Sequence, residues 1–431
     1  GDWWRLFADD ELNRLAAEAD RNNQTVAQSL ASYEQAQALV RQARASLFPS
    51  LGVGATSTRS GGSRGSNGAG GRSGPVDSFG ASLSADWQPD FWGRVGAGTA
   101  QAAANAEAIA ADLAGARLSA QGALAIDYFS LREADAEAAL IASTIEGYQR
   151  ALQITQNRYA AGVIAKTDVL QAQTVLFNAQ ADLAGVRENR ARFEHAIAVL
   201  VGKAPAEFNL PAAPWNQLVP AVPLGVPSAL LQRRPDIAAN ERAVAAANAQ
   251  IGIERAAYFP NFTLSASGGP GGSRIGQLFS ATGLLWSIGV SVSETIFDGG
   301  LRGARVDAAR AARDLAAARY RQNVLTAFQA VEDQLATTRS LAEQNDLRRQ
   351  ASDAADQTEQ QILNRYRAGQ VGYTDVVTAQ ASALGARRSL VNNILSRQAS
   401  VINLVTALGG GWDTTAPVEL KGSARADNVA R

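Results

Sequence analysis

Residues 158–173 read RYAAGVIAKTDVLQAQ, and residues 365–380 read RYRAGQVGYTDVVTAQ. The two stretches lie 207 residues apart, about half the chain. A second pair occurs in the same order, RASLFPSL at 44–51 and RAAYFPNF at 255–262. Solenoid repeats run about 20–45 residues, so this period is too long for one. It predicts one domain-sized unit present twice.

Each copy has the same internal order. A helical stretch over about 10–47 stops at Phe48-Pro49, because Pro ends a helix and pushes the residue before it out of the α region. Period-two segments follow. Leu51, Val53 and Ala55 alternate with Gly52, Gly54 and Thr56, and Phe79 to Trp87 alternates in the same way. Copy two repeats this from Phe262 and again from Trp286. The pattern predicts strands over about 50–59, 78–88, 261–268 and 285–297, each with one apolar face and one small polar face. The loops between them, SGGSRGSNGAGGRSGP at 60–75 and SGGPGGSRIG at 267–276, read as flexible hairpin connections. Neither has the spacing of a phosphate-binding loop.

Residues 94–160 and 299–368 then contain no Pro. At ~1.5 Å per residue each stretch predicts a helix of about 100 Å. A short turn leads into a return helix of about 35 residues with a heptad seam. The seam is Leu176, Ala179, Leu183, Val186, Phe193, Ile197 and Leu200 in copy one, interrupted by Arg190. In copy two it is Val377, Leu384, Val391, Ile394, Val401, Val405 and Leu408. The helix before the strands and the return helix together nearly match the long helix, so the two can stack end to end along it. The resulting division is a first repeat over 1–204, a Pro-rich linker over 205–227, a second repeat over 228–411 and an irregular tail over 412–431. The fold class is mainly α with a small β part.

Composition narrows the function. Forty basic and forty acidic side chains cancel, which leaves no electrostatic footprint for nucleic acid. There is no Cys and a single His, His195, so thiolate chemistry, His-rich metal sites and catalytic triads find no parts. No enzyme activity and no cofactor are expected. The absence of Met predicts a chain trimmed at its start. Ala fills roughly one position in five, which suits closely packed helices. Four strands with one apolar face cannot close alone, whereas membrane barrels begin at about eight strands. Trp87, Trp92 and Trp286 fall near strand ends, where an aromatic girdle would lie. A small soluble sandwich packed on the helices is the competing interpretation.

The segment LQRRPDI at 231–237, the opening WWRLFADDELNRLAAEADRNN, DFWGR at 90–94 and IFDGGLRGAR at 296–305 resemble the TolC-like outer-membrane factors. The branch they resemble serves resistance-nodulation-division (RND) efflux pumps. The resemblance covers nearly the whole chain. It implies a homotrimer with a twelve-stranded β-barrel in the outer-membrane lipid and an α-helical barrel in the periplasm. It further implies a passive exit duct that docks a periplasmic membrane-fusion (adaptor) protein and an inner-membrane RND transporter. Many members of this branch carry lipid on an N-terminal Cys, a residue this chain lacks. A duct for type I protein secretion and a non-channel coiled-coil envelope protein are the alternatives.

The resemblance also picks out residues at the hairpin turns. Tyr366 and Asp375 match the family's gate positions, with Tyr159 and Asp168 as their copy-one equivalents, beside Thr374 and Thr167. Three copies of Asp375 would form a ring of like charge. Simple helix capping after the threonines is the competing account of both acids. Arg367, Ala368 and Gly369, with Ala161 and Gly162, are expected at the adaptor contact, or as plain helix C-caps. Some relatives carry a base at the position of Val371 and an acid at those of Gln171 and Thr378, so a weaker electrostatic lock is expected here. Arg158 and Lys166 read as surface charges, and His195 as structural or solvent-facing.

Overall fold

The structure, a computed structural model, describes residues 2–61, 75–221, 234–279 and 284–410. The elements are α1 Asp10–Asn22, α2 Gln24–Ala45, β1 Ser50–Ser60, β2 Val76–Trp87, α3 Arg94–Ala160, α4 Lys166–Leu200, α5 Pro235–Ala256, β3 Asn261–Gly272, β4 Leu284–Ser293, α6 Leu301–Arg367 and α7 Tyr373–Ala407. The fold is mainly helical with one small sheet. The repeat is visible in the lengths. The long helices α3 and α6 both have 67 residues, and the return helices α4 and α7 both have 35. Most of the loop at 60–75, the tail at 412–431 and residues 231–233 of the quoted signature lie outside the described residues.

Compactness cuts across the two copies. One unit takes 1–31, 110–239 and 321–431, and the other takes 32–109 and 240–320. Each unit thus draws on both repeats.

The first unit holds the largest core, with Trp3, Trp4, Phe7, Leu12, Leu124, Phe129, Leu131, Ile197 and Ile402 among its buried members. Each such side chain contributes roughly 1.5–3 kcal/mol on burial. Asp9 ties α1 to this core: its carboxylate accepts from Leu12 N at 3.0 Å and from the Tyr128 hydroxyl at 2.8 Å. The helix expected over 10–47 breaks at Asn23. The Asn23 side chain accepts from Thr25 N and Val26 N and donates to Leu200 O at 2.8 Å, so it caps α2 instead of continuing α1. The linker packs on this unit. Leu210 is buried, Arg132 donates to Pro211 O, and Gln398 bonds Asn216 O, Leu218 O and Trp215 Nε1. The heptad seams of α4 and α7 are buried or half-buried throughout. Arg190, the interruption, pairs with Asp135 at 2.6 Å and Glu194 at 3.1 Å.

The second unit carries the sheet, antiparallel in the order β1-β2-β3-β4. Its register aligns the rows Leu51, Ala85, Ala266, Ile288 and Val53, Leu83, Gly268, Trp286 on one face. Gly52, Ser84, Ser267 and Ser287 align on the other, with the last two hydroxyls 2.9 Å apart. β3 runs four residues beyond the expected 268. Gly271 and Gly272 pair with Gly80 and Phe79, so part of the expected loop at 267–276 is strand. Gly269 is needed there, since a Cβ would meet Ala81 O at 1.9 Å. β4 stops at Ser293, four residues short of 297, where Arg302 pulls Glu294 into an ion pair at 2.7 Å and donates to Thr295 O.

Candidate functional site

The two helical hairpins turn in the same way. α3 closes on Gly162 at φ +72°, and α6 closes on Gly369 at φ +75°. Gly162 N donates to Tyr159 O at 2.9 Å, and Val163 N donates to Arg158 O at 3.0 Å. Gly369 N to Tyr366 O and Gln370 N to Arg365 O repeat this pair, each at 2.9 Å. The crossed bonds satisfy the last carbonyls of each helix through a left-handed residue, which is why both positions are Gly. Ala161 and Ala368 stand exposed just before these glycines. Arg367 is also exposed and donates to Asn364 Oδ1 at 3.3 Å.

α4 and α7 begin at Lys166 and Tyr373, with Ala165 and Gly372 as caps that offer no side-chain acceptor. Thr167 and Thr374 are the second helical residues, and Asp168 and Asp375 the third. The acids therefore do not cap. They sit inside the first turn, where the positive end of the helix dipole favours them. Asp375 is exposed and Asp168 half-buried. Thr374 Oγ1 donates to Gln171 Oε1 at 3.4 Å.

The two tyrosines sit in different surroundings. Tyr366 is 3% exposed, against 45% for Tyr159. Tyr366 packs with Ala172, Tyr373 and Val376, its ring edge-on to Tyr373 at 5.4 Å and its hydroxyl 3.5 Å from Thr155 Oγ1. Val371 packs against the same cluster. Burial, then the neighbouring Tyr366, Tyr148 and Asp168, push the Tyr373 hydroxyl up to about 12.

Arg158 is not the surface charge its sequence suggests. It is half-buried, donates to Tyr366 O at 2.9 Å, and lays its guanidinium 4.7 Å from the Tyr366 ring centroid. One side chain of the first hairpin thus binds both the ring and the last-turn carbonyl of the second. The RY dipeptide at both turns is the only sequence signal for this, and it does not say which Arg meets which Tyr. Lys166 and His195 are exposed.

Among the described residues no group of His, Asp and Glu could hold a metal ion. None of the described helices is long and apolar enough to cross a membrane.

The chain matches the family described as outer membrane efflux protein over residues 15–203 and 226–410. It is 31% identical over 418 residues to the toluene efflux pump outer membrane protein TtgF of Pseudomonas putida, which covers 95% of this chain and 85% of that protein. Among solved structures, the outer-membrane channel OprN matches with a TM-score of 0.87 at 29% identity, covering 95% of this chain and 92% of that one. The outer membrane protein VceC of Vibrio cholerae matches with a TM-score of 0.84 at 29% identity, covering 96% and 99%.

Proposed function

This chain belongs to the outer membrane efflux protein family, and from that membership we propose that three copies join their sheets into one twelve-stranded barrel. The protein is an outer-membrane efflux channel that extends into the periplasm, and its relatives are channel proteins, not enzymes. The observation that carries the trimer is the sheet. Among the described residues β1 and β4 each pair on one side only, and their apolar residues are exposed, Val53 by 86% and Ile288 by 76%. An open edge in lipid leaves N–H and C=O groups unbonded, at several kcal/mol each, and only closure removes it. Eleven residues of β1, at about 3.3 Å each and tilted about 45°, span roughly 26 Å, the height of the apolar band of such barrels. The serine rows then face a wet lumen.

In this proposal the chain is a passive duct of a tripartite RND-type pump. A periplasmic adaptor protein docks at Arg367, Ala368, Gly369, Ala161 and Gly162, and an inner-membrane transporter supplies the energy. The gate lies at the hairpin ends. Tyr366, held by Arg158, keeps the second hairpin against the first, and Asp375 adds one carboxylate per copy around the axis. Asp168, Tyr159, Thr167 and Thr374 line the same turns.

The test is the mass of the detergent-solubilised protein together with conductance in planar bilayers. A trimer that inserts as a pore is expected, and a non-conducting monomer or elongated scaffold would sink the proposal. Loss of a secreted protein on gene deletion, without increased sensitivity to toxic compounds, would move the duct from efflux to type I secretion.

A further inference from the structure

The two copies leave the sheet by the same kind of turn but with different residues. After β2 the chain reads Asp90-Phe91-Trp92-Gly93-Arg94, and after β4 it reads Asp298-Gly299-Gly300-Leu301-Arg302. Both acids hold the start of the helix that follows. Asp90 accepts from Val95 N at 3.0 Å and Gly96 N at 2.7 Å, and Asp298 accepts from Gly300 N at 2.9 Å and Arg302 N at 3.2 Å. The arginines differ. Arg302 is engaged within the chain by Glu294, Asp298, Thr295 O and the ring of Tyr258. Arg94 is exposed and has no partner among the described residues. Where copy two has two glycines, copy one has Phe91 and Trp92, 64% and 45% exposed.

Phe91, Trp92 and Arg94 line a cavity of about 620 Å³ together with Phe259, Phe262 and Glu294. Trp92 stacks on Phe259 at 4.7 Å and donates from Nε1 to Pro260 O at 2.7 Å, while Phe91 meets Phe262 edge-on at 5.2 Å. Phe262, Leu264 and Ala266 alternate onto the face of β3 that continues into the exposed Val292, Val290 and Ile288 of β4. The cavity therefore begins where the apolar face of the sheet ends and the helices start. In an outer-membrane channel this is the level at which acyl chains give way to headgroups, and where aromatic rings with one polar edge collect. The charges of the cavity are unevenly matched. Asp90 is held by two N–H groups, which also leaves the first turn of α3 satisfied, and Glu294 is paired with Arg302. The guanidinium of Arg94 is left uncompensated among the described residues.

We propose that this cavity holds one anionic phospholipid of the periplasmic leaflet per chain, its phosphate on Arg94 and its acyl chains running along Phe91 and Phe262 onto the apolar face of the sheet. The fork of a guanidinium matches two phosphate oxygens at once. Arg44 and Arg255, exposed in the last turns of α2 and α5 beside the lining residues Ala43 and Ala256, add positive potential at the same level. The cavity's carboxylates are already engaged, so the ammonium of a zwitterionic headgroup has no unpaired acid to meet. Copy one thus turns outward to lipid the residues that copy two turns inward to its own chain. This rests on the barrel proposed above, which puts the apolar face of the sheet in the membrane.

Native mass spectra of the detergent-purified protein, with phosphatidylglycerol or with phosphatidylcholine of the same chains, test the site and report the oligomer in one measurement. One phosphatidylglycerol per chain is expected to be retained, with phosphatidylcholine held about fivefold more weakly. Arg94→Ala is expected to weaken phosphatidylglycerol about tenfold, Arg94→Lys to restore much of it, and Arg365→Ala, exposed in the last turn of α6, to leave it unchanged. Inorganic phosphate in large excess is expected not to displace the lipid, and displacement would overturn the lipid as occupant. Equal retention of the two lipids, or full retention by trimers of Arg94→Ala, would overturn the site and leave the barrel standing. A monomer that fails to insert into phosphatidylglycerol vesicles would overturn both.

Discussion

The hairpin turns at 158–168 and 365–375 share their Arg-Tyr pair, their capping Gly and their Thr-Asp pair, yet one tyrosine is buried and the other exposed. The backbone does not separate them, since the backbone bonds of the two turns agree within about 0.1 Å, far inside the spread of such bonds. Part of the difference is the side chain at the start of the return helix, where Tyr373 packs edge-on to Tyr366 and the first turn has Lys166. The rest comes from what stands beside each turn: Tyr366 meets Arg158 and Ala172 of the first hairpin, and among the described residues Tyr159 has no such partner in the other hairpin. A duplicated motif thus specifies a turn twice but a contact only once.

Removing Arg158 should damage this comparison most. Arg158→Ala removes a charge-assisted hydrogen bond and a cation–π contact at the second turn only. The loss is about 2 kcal/mol, which raises the open-to-closed ratio roughly thirtyfold. Single-channel recording checks this, and an unchanged open fraction would mean that Arg158 holds nothing shut.

A comparable effect on stability should follow from Glu133, a buried acid of copy one where copy two has the exposed Ser340. Its Oε1 has no hydrogen-bond partner among the described residues. Burial, then the charge of Glu137, push it up to about 7 against the pull of Arg388. Below about pH 4.5 the group is neutral whether the chain is folded or not, and nothing is lost. As pH rises towards 7 the unfolded chain releases this proton before the folded one, so stability falls. The unfolding free energy read from denaturant titrations should therefore drop between pH 5 and pH 8 by about 2 kcal/mol, and Glu133→Gln should flatten that slope. An equal slope in the variant would assign it to other groups.

The glycines sharpen the comparison further. Gly162→Val and Gly369→Val each force a branched residue into the left-handed region, at about 1–2 kcal/mol. A Cβ at Gly162 meets open space, whereas one at Gly369 meets Arg158 Nη2 at 3.9 Å. Both variants should still give trimers, and Gly369→Val should lose more efflux in a cell-survival assay. Equal losses would make the turns interchangeable for docking. The smallest effect is expected from the acids. Asp375→Ala should lower cation preference by about twofold with little change in stability, because an exposed charge in the first turn of a helix contributes less than about 1 kcal/mol. Asp168→Ala, at a half-buried position, should change selectivity less.

Periodicity is what made the fold legible. Alternation at Leu51–Ala55 and heptads at Leu176–Leu200 are local, so they survive without knowledge of neighbours. The break at Asn23 and the early end of β4 were not legible in this way, because each depends on a distant partner, Leu200 O in one case and Arg302 in the other. The turns could be found by their repetition and by resemblance. Arg158 could not, since its partner lies 208 residues away in sequence.

The equal lengths of the paired helices have a consequence for how such a chain can vary. One residue added within a helix advances everything beyond it by about 1.5 Å and turns it by about 100°. An insertion in α3 alone would swing Arg158 away from Tyr366 and carry the first turn out of step with the second. Compensation would have to come from a matching insertion in α6, more than two hundred residues along the chain. Length in this protein is therefore inherited in pairs, and each long helix serves as the gauge against which the other is cut.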